Sequence, residues 1–267
     1  GNTTCSVQLP EGAGNTNYKV DASTTGLFAT GTTNYLLDSS TPQLNGSISG
    51  VVGTNNWYKS NVTLSVVSND LISGIASATV SVDGGAQTAY STPIVLTDGI
   101  HTVILLATDN AGHVTQTTQS INIDAVTPVL NISLSGTMGL NNWYISNVTI
   151  TPSINDSGSG LAKLEVSQDG SAFTDYQSPI TFSDGMHSYQ FRATDNAGNI
   201  TESGQTLNVD TTTPTLELTT TGTMGLNGWY RSSAQISALG TDSVSGVAKI
   251  EVSTDGGAYL PYTTPVT

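Results

Sequence analysis

Charge is scarce in this chain. Only 10% of its 267 residues are Asp, Glu, Lys or Arg, and six basic residues stand against twenty acidic ones, for a net charge of −14. A surface of that sign repels phosphate backbones and anionic headgroups, and no basic stripe overrides the repulsion, so the composition argues against nucleic-acid binding and basic-patch membrane contact. No run approaches 18 apolar residues, so no membrane-inserted helix is expected. GNTTCSVQLP lacks the basic start and apolar core of an export signal; any such signal has been removed or lies outside these residues. The single cysteine, Cys5, cannot close an internal disulfide, so it either packs as a small hydrophobe or joins another chain. What fills the sequence instead is Thr, Ser, Asn and Gly between short apolar stretches. Its 36% hydrophobic content suffices for packed cores.

A repeat of 86 residues organises the chain. Trp57, Trp143 and Trp229 fall at that interval, each followed by Tyr, as do Pro42, Pro128 and Pro214. Asp70, Asp156 and Asp242 keep it, and so do Asp83, Asp169 and Asp255, Tyr90, Tyr176 and Tyr262, and Pro93, Pro179 and Pro265. No insertion or deletion separates the copies, and a fixed period of this kind marks a tandem architecture.

Within one copy the pattern is strand throughout. VLNISL at 129–134 alternates and is followed by the loop GTMGLNNWY, and VTITPSI at 148–154 alternates again before the turn NDSGSG. In LAKLEVS, Ala162, Leu164 and Val166 share one face and Lys163 and Glu165 the other, the period of a half-buried strand. Asp169-Gly170 is a hairpin turn, SAFTDY and PITF are short strands, and HSYQFRA and ITESGQTLNV complete the copy across TDNAGN. Seven short strands without a helical segment predict an all-β fold, a β-sandwich per copy. The boundaries expected are 42–127 and 128–213 for two complete copies, 1–41 for the last strands of a copy, and 214–267 for the first five strands of another.

NNWY, DSGSGLAKLEVSQDGSAFTDY and SDGMHSYQFRATDNAGN, in that order, resemble the bacterial immunoglobulin-like repeats arrayed in cell-surface proteins and appended to secreted carbohydrate-active enzymes. The resemblance covers 42–267. It implies tandem immunoglobulin-like seven-stranded sandwiches and a spacer or adhesive role, and it implies no ligand. Because the connections DAVTP and DTTTP leave almost no slack and proline fixes φ, successive sandwiches are expected to form an elongated rod.

The recurring aromatics Trp57, Tyr58, Trp143, Tyr144, Trp229 and Tyr230 have two readings: packing of a long loop against its own or the next sandwich, or stacking on cell-surface glycans. Their recurrence at one spot in each copy favours an interface. His101 and His187 occupy equivalent places without a nucleophile or second imidazole, which fits packing rather than acid–base work, and His113 lies in a turn. No catalytic constellation recurs, so the chain is not expected to be an enzyme.

The carboxylates carry a sharper expectation. In such a sandwich Asp156 and Asp195 approach Asp124, and Asp70 and Asp109 approach Asp38, at the places where one copy follows another. Either these groups cap their own turns, or three carboxylates with backbone carbonyls hold calcium there; no D-x-D-x-D-G loop is present to favour the second. Asn61, Asn131, Asn147 and Asn199 begin N-x-S/T sequons, which matter only in a host that glycosylates asparagine.

The two ends read as complementary fragments. Residues 1–41 match the part that 214–267 lacks, with STTG standing where complete copies read TDNAG. Three arrangements are compatible with this: a window from a longer array, an N-terminal segment folding alone, or head-to-tail assembly in which the front of one chain completes the back of the next by strand addition. The function expected is an extracellular structural protein at a cell surface, a stalk or filament. The alternative is a spacer or carbohydrate-binding region of a secreted glycoside hydrolase.

Overall fold

A computed structural model describes Thr4, residues 15–24 and residues 27–267, with the backbone alone given up to residue 35. Cys5 lies outside the described residues. Strands β1 (Asn15–Thr24) and β2 (Leu27–Leu36) pair antiparallel from Asn15↔Leu36 to Thr24↔Leu27.

The first complete copy contains β3 (Gln43–Ser49), β4 (Trp57–Tyr58), β5 (Val62–Asn69), β6 (Ile75–Val82), β7 (Thr88–Ala89), β8 (Ile94–Leu96), β9 (Gly99–Asp109) and β10 (Val114–Ile123). They form a three-stranded sheet, β3-β5-β8, and a five-stranded sheet, β4-β10-β9-β6-β7. Alternation decides which side chains enter. Leu44, Val62, Leu64 and Leu96 from the first sheet meet Val80, Val103, Leu105, Ala107, Ile121 and Ile123 from the second in one buried cluster. The turn at Asp83-Gly84, within the connection between β6 and β7, has φ of 53° and 73° at its two central residues and is closed by the Gly85 N–H donating to the Val82 carbonyl at 3.0 Å.

The second copy repeats the plan with β11 (Val129–Ser135), β12 (Trp143–Tyr144), β13 (Val148–Asn155), β14 (Leu161–Gln168), β15 (Thr174–Asp175), β16 (Ile180–Phe182), β17 (Gly185–Asp195) and β18 (Ile200–Val209). Its sheets are β11-β13-β16 and β12-β18-β17-β14-β15. Its core holds Val148, Ile150, Val166, Phe182, Tyr189, Phe191, Leu207 and Val209. Both copies are thus immunoglobulin-like sandwiches. The sequence expectation of seven strands misses one: Trp57–Tyr58 and Trp143–Tyr144 are short strands that pair in parallel with β10 and β18. Two residues are too few to leave a periodic signature.

The periodic tyrosines have different duties. Tyr90 Oη accepts the backbone N–H of Val66 at 3.0 Å, beyond the point where β8 stops pairing with β5. Tyr262 does the same for Ala238 at 3.1 Å. At the equivalent place in the second copy stands Pro152, which has no N–H to satisfy, and Tyr176 instead meets Phe191 edge-on at 5.5 Å. Tyr90→Phe is therefore expected to cost about 1–3 kcal/mol by orphaning a backbone donor, whereas Tyr176→Phe should be close to neutral, as paired chemical denaturation curves would show.

After the second copy come β19 (Thr215–Thr221), a short 3-10 turn at Leu226–Gly228, β20 (Gln235–Thr241), β21 (Glu251–Val252) and β22 (Leu260–Pro261), forming the pairs β19-β20 and β21-β22. Ile236 and Val266 exchange backbone hydrogen bonds at 2.8 and 3.0 Å. Leu216, Leu218 and Leu239 are exposed here, whereas Leu130 and Ile132, the counterparts of the first two, pack against the second core.

The chain forms two compact units, one of residues 1–128 with 156–161 and 194–199, the other of 129–155, 162–193 and 200–267. Two turns of the second copy therefore group with the first copy. Among the described residues no helix is long and apolar enough to cross a membrane.

Candidate junction site

Asp124 and Asp210 directly follow β10 and β18, Asp38 lies two residues after β2, and each accepts the N–H two residues on, from Val126 (3.1 Å), Thr212 (3.0 Å) and Ser40 (2.9 Å). Facing them are the turns that begin with Asp70, Asp156 and Asp242. Asp70 Oδ1 accepts the N–H groups of Ile72, Ser73 and Gly74 at 2.8–3.1 Å, and Asp242 Oδ1 those of Val244, Ser245 and Gly246. These are aspartates folding their own turns.

The middle junction departs from this pattern. Asp124 Oδ2 takes the Ser159 N–H at 2.6 Å, and Asp156 keeps only that of Gly160, also at 2.6 Å. Asp195 Oδ1 accepts Gly198 and Asn199 N–H at 2.7 and 2.8 Å. Asn199 Nδ2 donates to Asp195 Oδ2 and to the Asp124 carbonyl, both at 2.8 Å. One carboxylate oxygen from each of Asp124, Asp156 and Asp195 lies within 4.8 Å of the others, and Asp124 and Asp195 are each 1% exposed. All three fall in the first compact unit. Gly158 permits the closest of these approaches: a Cβ there would stand 2.5 Å from the Asp124 carboxyl, whereas with Val244 at the same place Asp210 Oδ2 accepts the Ser245 N–H at the longer distance of 3.1 Å.

At the first junction the trio expected from sequence is corrected. Asp38 and Asp109 come together with His113, not with Asp70. Asp70 spends its Oδ1 on the N–H groups of its own turn and connects to Asp38 through Ser40, whose Oγ is 2.6 Å from Asp38 Oδ1 and 3.3 Å from Asp70 Oδ2, and through Ser73, which bonds both carboxylates. His113 Nδ1 lies 2.9 Å from Asp109 Oδ2. Its period counterpart is Asn199, so a histidine that looks unrepeated occupies a repeated structural position. Asn199 is 9% exposed with its amide engaged, so its sequon is closed to a glycosyltransferase in the folded chain.

Among the described residues no lysine or arginine pairs with these carboxylates. Hydrogen bonding takes the place of countercharge. Asp38 is lowered from 3.8 to about 2, first by the Ser40 hydroxyl and then by that of Ser73, and Asp210 to about 2 by the Ser245 and Thr212 hydroxyls. Burial pushes Asp109 up, but the His113 N–H and ring outweigh it and leave it lowered. For carboxylates depressed in the folded state, the stability they contribute is present above the ordinary carboxylate range and is lost as pH falls through the folded pKa. The melting temperature is accordingly expected to fall between about pH 4 and pH 2, and Asp38→Asn with Asp210→Asn should flatten that decline.

Three clustered carboxylates suit a hard, oxygen-seeking cation such as calcium. At the middle junction all the donors are oxygens. At the first, the His113 ring nitrogen suits calcium less, although Asp38 Oδ2 is buried without a hydrogen-bond partner among the described residues.

A second contact spans the same place. Thr54 N–H donates to the Ala197 carbonyl at 2.9 Å, and Thr54 Oγ1 and Asn55 Nδ2 donate to the Asn196 carbonyl at 2.7 and 3.1 Å. The loop before Trp57 thus clasps the turn 195–198, again within the first compact unit. A side chain at Gly53 would collide with the Ala197 carbonyl. Trp57 and Trp143 are half-buried, Tyr58 and Tyr144 pack against their own cores, Tyr230 is half-buried, and Trp229 is 77% exposed. The tyrosine backbones also take part, since Tyr58 and Tyr144 carbonyls accept the Asp124 and Asp210 N–H groups at 2.8 Å.

The paired histidines are structural pins. His101 Nδ1 faces Asp83 Oδ2 and Nε2 faces the Thr97 carbonyl, both at 2.8 Å, so only the doubly protonated ring satisfies both acceptors. Burial opposes the charge, but the bonds to Asp83 and Thr97 outweigh it and raise the His101 pKa above 6.5. His187 makes the same two contacts with Asp169 and Ser183 at 3.1 Å.

No protein-family profile matches the chain, and no curated protein is similar to it. Solved structures similar to it include fibronectin(III)-like modules of Clostridium thermocellum CbhA, at 13% identity and TM-score 0.30, covering 62% of this chain and 94% of that one. Another is a tetra-tandem repeat from the extending region of a large adhesion protein, at 17% identity and TM-score 0.29, covering 95% of this chain and 70% of that one.

Proposed function

We propose that this chain is a non-catalytic, extracellular repeat segment whose sandwiches are fastened in series to build a rod, stalk or head-to-tail filament at a cell surface. The observation that carries this reading is the recurrence of one fastening: Asp124 to Ser159, and Asp210 to Ser245 at 3.1 Å, each joining the end of one copy to the turn of the next. Such bonds spend the copies' repeated carboxylates on joining rather than on chemistry. Copies of the chain itself, meeting head to tail, are the partner. In electron micrographs of the purified chain, particles should lengthen by roughly 30–40 Å per sandwich, as strands of this length dictate. Compact monomers at every concentration would overturn the reading.

Calcium at Asp124, Asp156 and Asp195 belongs to the same proposal, favoured by three carboxylates within 4.8 Å of one another. The ion would cross-brace the joint, so EDTA should lower the melting temperature and calcium restore it; an unchanged value with no calcium retained after dialysis would exclude it.

A second reading, a glycan-binding or spacer region of a secreted glycoside hydrolase, draws on the 77% exposure of Trp229. Binding on a glycan array that is abolished by Trp143→Ala or Trp229→Ala would favour it.

A further inference from the structure

The outer face of the second sandwich is unlike that of the first. In β17, Ser188, Gln190 and Arg192 alternate with the core residues Tyr189 and Phe191, so they point away from the core. Glu165 and Ser167 flank the core residue Val166 in β14 and share that outer side, yet they are only 6% and 8% exposed. Charge covers Glu165. Lys163 Nζ lies 2.6 Å from its Oε1, and Arg192 Nε and Nη2 lie 2.9 and 2.8 Å from its Oε2. The same guanidinium stacks 4.1 Å over the Phe173 ring and holds Nη1 4.0 Å from Glu202 Oε1, while Gln190 Nε2 donates to Glu202 Oε2 at 2.8 Å. The first sandwich has Ser77, Thr79, Gln87, Ile104, Leu106 and Gln116 at the corresponding positions, so it lacks this network. In a chain with only six basic residues, two of them fix one glutamate pair on one sheet.

Beside Glu202 the face opens. Gly204 replaces Thr118 of the first sandwich, and a Cβ on it would collide with the backbone of Tyr189 and Gln190. Positions 202, 204 and 206 follow the strand's two-residue spacing, so the missing side chain leaves a gap between Glu202 and Thr206. The gap is part of a cleft of about 350 Å³ lined by Ser167, Ser188, Gln190, Glu202, Gly204 and Thr206. That volume is within the range of about 300–1,000 Å³ usual for small-ligand sites. The whole cleft lies inside one complete sandwich and one compact unit.

Its lining selects a class of ligand. Hydroxyls, an amide and a carboxylate offer hydrogen bonds, and Tyr189, at 5% exposure, offers almost no ring surface. Arg192 is neutralised by Glu165 and in turn faces Glu202, which leaves no spare cation for an anionic ligand. A carboxylate and an amide bonded to each other across two strands, with serine and threonine hydroxyls around them, match neighbouring hydroxyl groups that both donate and accept. We propose that this cleft binds a neutral saccharide, with Glu202 and Gln190 as its principal contacts. The site rests on the glycan-binding reading above and is independent of the filament.

Titration of the 15N-labelled chain with glucose, galactose, mannose and N-acetylglucosamine, followed by amide chemical shifts, tests it. At least one sugar is expected to give saturable shifts at residues 188–190 and 202–206, while the corresponding amides at 102–104 and 116–120 of the first sandwich stay in place. Glu202→Ala removes an exposed side chain and should weaken binding by at least about tenfold without moving the melting temperature. Asp175→Asn, exposed on β15 and outside the cleft, should leave binding unchanged. Undiminished binding by Glu202→Ala would overturn the site. Shifts gathered around Trp143 or Trp229 instead would remove this cleft and leave the glycan-binding reading standing, whereas no shift anywhere with any of these sugars would remove both.

Discussion

A chain carrying Phe191→Ala is expected to lose about 3–5 kcal/mol from its second sandwich. Phe191 is wholly buried and, among the described residues, is the largest side chain with no exposure. Tyr176 meets it edge-on at 5.5 Å and Tyr189 at 5.7 Å, so truncation removes two aromatic contacts as well as the apolar volume. The hole cannot close easily. Its walls, among them Val148, Ile150, Leu207 and Val209, hang from strands held in register by their ladders. A domain of this size has about 4–13 kcal/mol of stability in all, so the loss is comparable to the whole. Calorimetry should show one transition displaced downward by roughly 15 °C or more while the other, which Leu105→Ala in the first core would identify, stays in place. A displacement equivalent to less than about 1 kcal/mol would mean that the core relaxes around the gap.

The fold was legible because each of its signals is repeated. Alternation in LAKLEVS, the Asp-Gly turns and the unbroken period locate most strands, and the turn at Asp169-Gly170 has the left-handed backbone its residues demand, with φ of 50° and 74°. The site was legible only as far as residue type reaches. That Asp124, Asp156 and Asp195 converge follows from where sandwich turns fall. That Asp70 does not join Asp38 reflects how each turn spends its aspartate: Asp70 accepts three N–H groups of its own turn, whereas Asp156 accepts one. NDSGSG departs from NDLISG and TDSVSG at the position nearest the Asp124 carboxylate, but residue type alone does not say how the bonds are shared. The equivalence of His113 and Asn199 was readable from the period too, but only geometry shows that an imidazole nitrogen and an amide nitrogen take the same place on an aspartate. The clasp left the faintest trace, because its acceptors are the carbonyls of Asn196 and Ala197, which every residue possesses.

Gly53→Ala is the substitution expected to separate that clasp from the rest of the fold. The added methyl would run into the Ala197 carbonyl, a main-chain atom held in a tight turn and unable to step aside. The loop must withdraw, and with it go the three bonds from Thr54 N–H, Thr54 Oγ1 and Asn55 Nδ2. At about 0.5–1.5 kcal/mol each, their loss amounts to roughly 2–4 kcal/mol of local stability. Amide exchange at Thr54 should therefore quicken by on the order of 30-fold to 1,000-fold, while amides in the paired strands β9 and β10 keep their protection. Gly139→Ala supplies the contrast. The same methyl there comes closest to Ile145 Cγ2, at 2.6 Å, the end of a side chain that can rotate away. A large change at Gly53 beside a small one at Gly139 would identify the carbonyl collision as the cause. Equal changes would mean that glycine at this position serves only the loop's own backbone, and that the turn at 195–198 is held by its aspartate rather than by the preceding copy.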